Sequence, residues 1–450
     1  MDKLLIQNTR VVSLDPDVEA SLGADECDIL VVDGRIAEIG RNLGADDAER
    51  IDGSGTIAVP GFVDTHRHTW QAVLRGVLTN GTLGDYFREV LMRLGPAFRE
   101  EDIYAGNLIG SYEALNAGVT TTVDWFNNAA TPGHADAAVA ALRETGIRSL
   151  FGYGTPIGAR WVKDSSLKHP HDAERVRSEY FSSSDQLLTF ALALRGTIGV
   201  DPVVTKHDFD LARSLDARIT VHAGVRIPGI PPVPGGEVRV MYEAGLLGPD
   251  TTIVHGNEVD NGELDMLAEC GATVSVAPYV ELVMGQGVPP TNRLVEHGLR
   301  PSLSTDVASA VPGDMFTQMR TALAQARGAT IPADPREPFA PRLTAEDVLR
   351  FATIDGAAAC GLADRIGTLS VGKDADIVLI RSDAINTMPG ADHPVSTVVT
   401  SADTSNVDTV LVRGTVVKRD GTLVGVDLER LRRLGGAARE HVMTAVGEKQ

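Results

Sequence analysis

Eight short apolar runs recur along the chain, at Ile57–Asp64, Val119–Trp125, Arg148–Tyr153, Leu187–Leu194, Arg218–Ala223, Thr251–Gly256, Thr273–Pro278 and Arg300–Asp306. They alternate little between polar and apolar residues, as parallel strands covered on both faces do, and stretches of helical length separate them. Eight such units predict a (β/α)8 TIM barrel rather than an open sheet. Helix signals fall between them: Glu101–Asn116 stops at Gly118, and Thr344-x-x-Asp347 is a relative of the capping box opening Val348–Cys360. β-Branched runs broken by Gly and Asp flank the barrel, Lys3–Leu14 and Asp28–Ile39 before it, Ala375–Arg381 and Val407–Val417 after it. They predict a small β-sandwich domain built from both termini, 1–56 with 366–425, around a barrel spanning 57–365, with a helical tail at 426–450. The polar stretch Thr155–Ser184 after the third strand is either a cover over the substrate or a disordered insertion.

A chain of 450 residues holds such a barrel and its satellite, and 43% hydrophobic with 23% charged residues is an ordinary globular composition. Lys and Arg number 41 against 61 Asp and Glu, a net charge of -20 that repels phosphate backbones and anionic lipid. Nucleic acid and membrane are therefore not expected as partners. No long apolar run or signal peptide is apparent, and Cys27, Cys270 and Cys360 are too scattered for a disulfide framework or a thiolate zinc site, so a reducing cytoplasm is expected. The thiols are read as inert and buried.

In a barrel of this kind the reactive groups sit at the C-terminal ends of the strands. Four of the predicted ends carry imidazole or carboxylate: His66 and His68 after strand one, His222 on strand five, His255 on strand six and Asp306 on strand eight. Residues two apart on a strand project the same way, so His66 and His68 converge on the mouth. A bare His-x-His is common on surface loops, but His222 and Asp306 at two further strand ends make a metal site the stronger reading. Three neutral imidazoles and a carboxylate suit one divalent ion per chain, Zn2+ or alternatively Fe2+, with a position left for water. Water on such an ion has a pKa of about 7, and Asp306 can take its proton.

These residues resemble the amidohydrolase superfamily, in its branch of triazine hydrolases, cytosine deaminases and S-adenosylhomocysteine or guanine deaminases. The resemblance spans nearly the whole chain. It rests on Val59-Pro60-Gly61-Phe62-Val63-Asp64-Thr65-His66-Arg67-His68, Gln71-x-x-Leu74-Arg75-Gly76, Glu113 to Thr121, Val254-His255-Gly256, Leu303-Ser304-Thr305-Asp306 and Ile366-Gly367-Thr368-Leu369-x-x-Gly372-Lys373-x-Ala375-Asp376. It implies a mononuclear metal on His66, His68, His222 and Asp306, and His255 beside the attacking water or polarising the substrate. It also implies a small heterocyclic substrate and an even-numbered homo-oligomer. One departure stands out. Deaminases of the branch follow the strand-five histidine with a glutamate three residues on, and here that position is Val225, which transfers no proton.

Glu281, in Pro278-Tyr279-Val280-Glu281, is the candidate replacement, its carboxyl reaching over the mouth as a desolvated general acid; the alternative is a solvated loop glutamate. Glu258 is a weaker rival, better read as a helix cap. Trp70 and Gln71 are candidates for walling and hydrogen-bonding a planar substrate, Arg75 for clamping a carboxylate, and Asp124 for orienting a ligand histidine. The remaining histidines are read as surface residues. The expected function is metal-dependent hydrolysis of a C–N bond, by deamination or amide or amidine hydrolysis, on a small nitrogen heterocycle. Hydrolytic dehalogenation of a triazine-like ring is the alternative, and a non-catalytic scaffold of the same fold is the bland one, separable by the metal content of the purified protein.

Overall fold

A computed structural model describes residues 3–15, 26–227, 229–340 and 342–447. Among the described residues the strands are, in chain order, β1 (Lys3–Val11), β2 (Glu26–Val32), β3 (Arg35–Gly40), β4 (Glu49–Asp52), β5 (Thr56–Pro60), β6 (Phe62–Arg67), β7 (Val119–Phe126), β8 (Arg148–Tyr153), β9 (Leu188–Leu194), β10 (Arg218–Ala223), β11 (Thr251–His255), β12 (Thr273–Val276), β13 (Ser302–Leu303), β14 (Ile377–Arg381), β15 (Val407–Val412), β16 (Thr415–Arg419) and β17 (Thr422–Leu423). Two compact units result. One takes in the chain up to Asp64 with Glu113–Thr121 and Asp314–Val426, the other Thr65–Tyr112, Thr122–Gly313 and Asp427 onward.

β6 to β13 hydrogen-bond in sequence order as the eight-stranded parallel sheet of the expected barrel. A bridge between Arg67 and Asp306 closes it, the His68 amide donating to the Asp306 carbonyl at 2.9 Å and the Asp306 amide to the His66 carbonyl at 2.9 Å. Strand eight is much shorter than expected, its ladder covering only Ser302–Leu303.

The expected first barrel strand, Ile57–Asp64, is in fact two strands. β5 pairs with β14, Ile57 opposite Ile380, and Gly61 separates it from β6. Glycine is required there, because a Cβ on Gly61 would lie 2.1 Å from Thr120 Oγ1. The other strands form one nine-stranded sheet, with β1 pairing β2 on one side and β4 and β5 on the other. Hydrogen bonding is continuous, yet residues from distant parts of the path, Ile36 of β3 and Leu411 of β15, share a single core with Ile6, Ile29 and Ile377. The two halves therefore face each other as a sandwich does. At their meeting point Ala375 donates to the Gly34 carbonyl at 2.9 Å, and Gly34, at φ +79, leaves no room for a side chain against Arg413.

This unit also buries Lys418, 2% exposed, whose Nζ donates to the Asn116 carbonyl at 2.8 Å. Burial pushes the ammonium down to about 8. Between that value and the ordinary lysine range the unfolded chain binds the extra proton, so stability rises with pH over that interval. Lys418→Met is expected to abolish this rise and to stabilise the protein near neutrality by about 1 kcal/mol. Denaturant melts of both proteins at pH 7.5 and 10 check it, and an unchanged pH slope in the variant would refute it.

The expected capping box at Thr344 and Asp347 is present, but its helix ends at Phe351 and a second runs over Ile354–Ala359. Asp427–Gln450 is more than a surface helix, with 448–450 outside the described residues. Leu428–Gly447 packs on the barrel unit: Arg439 donates to the carbonyls of Val73 and Arg75 at 3.0 Å each, and His441 Nδ1 lies 2.8 Å from Asp102. Among the described residues no cysteine is in a disulfide, Cys270 is half-buried rather than buried, and no helix is long and apolar enough to cross a membrane.

Candidate metal centre and active site

The five strand-end residues meet. His66 Nε2 lies 3.1 Å from Asp306 Oδ1 and 3.3 Å from His222 Nε2, and His68 Nε2 lies 3.5 Å from the same carboxylate oxygen. His255 Nε2 approaches Asp306 Oδ2 at 3.9 Å. Two trios, His66 with His222 and His255, and His66 with His68 and Asp306, each hold their donor atoms within 4.8 Å of one another. His255 and Asp306 have φ of +76 and +62, strained for residues with a side chain and met chiefly where function fixes the backbone.

Burial first, and crowding by His66 second, push the His68 imidazole down to about 3, and His222 falls well below its usual range for the same reasons. Both are neutral. His68 Nδ1 donates towards the Trp125 carbonyl at 3.0 Å and Asn127 Oδ1 at 3.1 Å, leaving its Nε2 lone pair for the cluster. Burial alone would raise Asp306, but His66 and the other imidazoles hold it ionised. Neutral nitrogens and one carboxylate crowded this closely repel unless a cation joins them, so the donor set fits a divalent ion.

His255 is set differently. Burial lowers its proton affinity, but Glu281 and then Asp306 outweigh that and raise it. Its Nδ1 lies 3.0 Å from Glu281 Oε1, which also accepts from the Ala277 amide at 2.8 Å, while Oε2 accepts from Asn257 Nδ2 at 3.0 Å. Glu281 therefore does not reach over the mouth, nor is it solvated. It is fully buried at the start of the helix Pro278–Val283, with both oxygens engaged behind His255. Glu258 is exposed and pairs with Arg226, while Asp260 and Glu263 make the cap expected of it.

The three expected substrate contacts are misplaced, because Thr69–Leu74 forms a 3₁₀ helix whose six residues are all buried. Trp70 packs against Phe98 and donates to Asn127 Oδ1 at 2.9 Å. Gln71 donates to Tyr86 Oη at 2.7 Å and accepts from Ser309 at 3.1 Å. Arg75 is exposed at the end of the turn. None of the three lines the cavity over the cluster, although Trp70 and Gln71 hold Asn127 and Tyr86, which do. Asp124 bonds Asn107 at 2.6 Å rather than a histidine. Strand alternation explains this: Trp125, the next residue, has its ring 4.3 Å from that of His222, so Asp124 points to the other face, where burial raises it to about 6. His134 and His169, read as surface residues, are 5% and 2% exposed.

Above the cluster lies a cavity of about 250 Å³. Its walls are mainly apolar, from Leu83, Tyr86, Phe87, Trp125, Ile157, Trp161, Ile198, Val225 and Met284, with Asn127, Thr155, Arg195 and Gln286 as polar exceptions. The start of Thr155–Ser184, as far as Val162, supplies part of this wall, and the stretch carries two short helices, Ala159–Lys163 and Asp172–Tyr180. Arg195 fastens it, donating to the Trp161 carbonyl at 2.9 Å with its guanidinium 5.2 Å from the Trp161 ring. Sequence reasoning missed Asn127, Tyr86 and Gln286; only Gln286, between Gly285 and Gly287, carries a local signal.

The amidohydrolase family model matches residues 57–417. The chain belongs to the amidohydrolase family. This amidohydrolase is 28% identical over 445 residues to a 5'-deoxyadenosine deaminase of Methanothermobacter thermautotrophicus, covering 96% of this chain and 99% of that one. It is 28% identical over 416 residues to a 5-methylthioadenosine/S-adenosylhomocysteine deaminase of Pyrococcus furiosus, covering 90% and 93%. A solved adenosine deaminase from Xanthomonas campestris with bound zinc matches at a TM-score of 0.84 and 23% identity, covering 98% and 99%. Atrazine chlorohydrolase from Arthrobacter aurescens complexed with zinc matches at 0.76 and 22%, covering 97% and 100%. At those identities the two structures speak for the amidohydrolase fold.

Proposed function

We propose that this amidohydrolase hydrolyses a C–N bond on a small, flat nitrogen heterocycle bearing apolar substituents. His66, His68, His222 and Asp306 would hold one divalent ion, zinc by the chemistry of the set. When bound, such an ion polarises the substrate and makes water acidic enough to attack at neutral pH. The carrying observation is the convergence of these donors on an apolar cavity that has Val225 where the family resemblance calls for a carboxylate.

Asp306, ionised and beside the reacting centre, takes the proton of the attacking water. His255, with Nδ1 bonded to Glu281, presents Nε2 on the same side as Asp306; its raised proton affinity suits it to donate to the charge that builds on the substrate. Protonation of the departing nitrogen then comes from the Asp306 and His255 side, since Val225 offers nothing on the other. Trp125, Tyr86 and Trp161 border the cavity and suit an aromatic substrate. The two relatives compared by sequence are deaminases named for 5'-deoxyadenosine and for 5-methylthioadenosine or S-adenosylhomocysteine, but the mainly apolar wall here, Ile157 and Ile198 included, favours an alkyl substituent over a hydroxylated sugar. Val225 also favours a second reading, displacement of ring chloride, whose leaving group needs no proton.

Zinc-loaded protein assayed against amino-, oxo- and chloro-substituted triazines, pyrimidines and purines and 5'-deoxyadenosine, with ammonia and chloride measured separately, tests this. Ammonia release from alkylated aminoheterocycles, lost on chelation and regained with zinc, is expected. Chloride release alone selects the second reading. Faster turnover of 5'-deoxyadenosine than of any free heterocycle refutes the substrate class, and no release with one ion bound per chain refutes the reaction.

A further inference from the structure

One buried amide borders the catalytic cavity with its acceptor unused. Gln286 is 2% exposed and borders the cavity, and its Oε1 has no hydrogen-bond partner among the described residues. Burying an amide oxygen unpaired works against folding, and such a group in a folded protein calls for an explanation. Leu or Met would fill a similar volume without that cost.

The backbone explains why the side chain stays there. Gly285 at φ +70 and Gly287 at φ +140 flank Gln286 in conformations that disfavour a side chain. The Gln286 backbone N–H donates to the Glu281 backbone carbonyl at 2.9 Å, and a Cβ on Gly287 would lie 2.7 Å from that of Asn257. Asn257 in turn donates to the Val288 carbonyl at 3.2 Å. The loop is pinned on both sides of Gln286. Two other oxygens at the cavity already receive donors from the protein, Tyr86 Oη from Gln71 and Asn127 Oδ1 from Trp70 and His68, whereas Gln286 Oε1 receives none among the described residues.

A primary amide offers an acceptor and a donor side by side. Its complement is a donor beside an acceptor, as in a ring N–H next to C=O, or an exocyclic amine next to a ring nitrogen. We propose that Gln286 is a specificity-determining residue that reads such an amide-like edge of the substrate ring and so orients the ring over the His and Asp cluster. The proposal rests on the heterocycle hydrolase function given above and narrows its substrate class.

Calorimetric titration of zinc-loaded protein with 4-propyl-2-pyridone and with its N-methyl derivative tests this with ligands that carry no leaving group. The native protein is expected to bind the N–H lactam at least about tenfold tighter, and Gln286→Met to bind the two within about twofold. Gln286→Glu, whose ionised carboxylate offers two acceptors, is a second variant expected to prefer 4-propyl-2-aminopyridine, which presents two donors side by side once its ring nitrogen is protonated, to the lactam by about tenfold. Equal affinities in the native protein, binding of neither lactam, or a lactam preference that survives both substitutions overturns the proposal. A failed turnover screen would sink the hydrolase function and leave this result standing, whereas a missing lactam preference would sink only the role of Gln286.

Discussion

An Asp306→Asn variant will fold as the native protein does but turn over at least about a thousandfold more slowly, with less metal retained. The amide has the carboxylate's shape, so packing around it changes little. Charge changes most. Asp306 Oδ1 sits 3.1 Å from His66 Nε2 and 3.5 Å from His68 Nε2, and is the carboxylate set among imidazoles of which His68 and His222 are neutral. Asparagine removes that anion, and its NH2 group then competes for the lone pairs that a cation needs. A positioned general base contributes about 10²- to 10⁴-fold, and here the same group also holds the ion. Metal analysis alongside kcat checks the result. Retention of more than a tenth of native activity with a full complement of zinc would show that Asp306 neither holds the ion nor moves the proton.

Glu281 gives the second large effect, and it separates structure from chemistry. Glu281→Leu strands two buried donors, the Ala277 amide and His255 Nδ1, and leaves Asn257 Nδ2 with only its bond to the Val288 carbonyl, each unpaired group costing about 1–3 kcal/mol and not fully additively. A loss of about 3–5 kcal/mol in denaturant unfolding is expected. Glu281→Gln keeps the volume and part of the bonding, so stability falls less, but His255 loses the partner that raises its proton affinity. If protonated His255 is the donor in the reaction, that loss moves the alkaline limb of the kcat profile to lower pH and lowers kcat about a hundredfold at neutrality. A variant with native kcat and an unshifted limb would reduce Glu281 to a structural brace.

The barrel and its strand-end histidines were legible because a parallel strand buried on both faces is a continuous apolar run, and His222, His255 and Asp306 mark where the runs stop. The pairing of His66 with His68 follows from the two-residue period of a strand. The same period would have turned Asp124 away, since Trp125 faces the cluster. Other features were not legible for definite reasons. Ile57–Asp64 looks like one strand because Gly61 interrupts neither hydrophobicity nor length, and only the contact with Thr120 demands it. Trp70, Gln71 and Arg75 follow the histidines in sequence, but a 3₁₀ turn buries the first two and leaves the third exposed. Tyr86, Asn127 and Gln286 come from separate segments whose paths depend on tertiary packing. Glu281 was found by its place after strand seven, but its direction, into His255 rather than over the mouth, needed coordinates.

The pairing of Ile57 with Ile380 has an implication for how such a molecule tolerates change. Roughly 320 residues separate the two partners in the chain. For an opening already that long, the entropic penalty grows only with the logarithm of its size, about 0.6 kcal/mol per doubling. Ten extra residues in a connection such as Thr155–Ser184 would therefore barely register at the seam where the ends are joined. The pairing of these two strands is thus indifferent to how much chain runs between them, and the loops that shape the pocket are left to vary in length under chemical rather than architectural constraint.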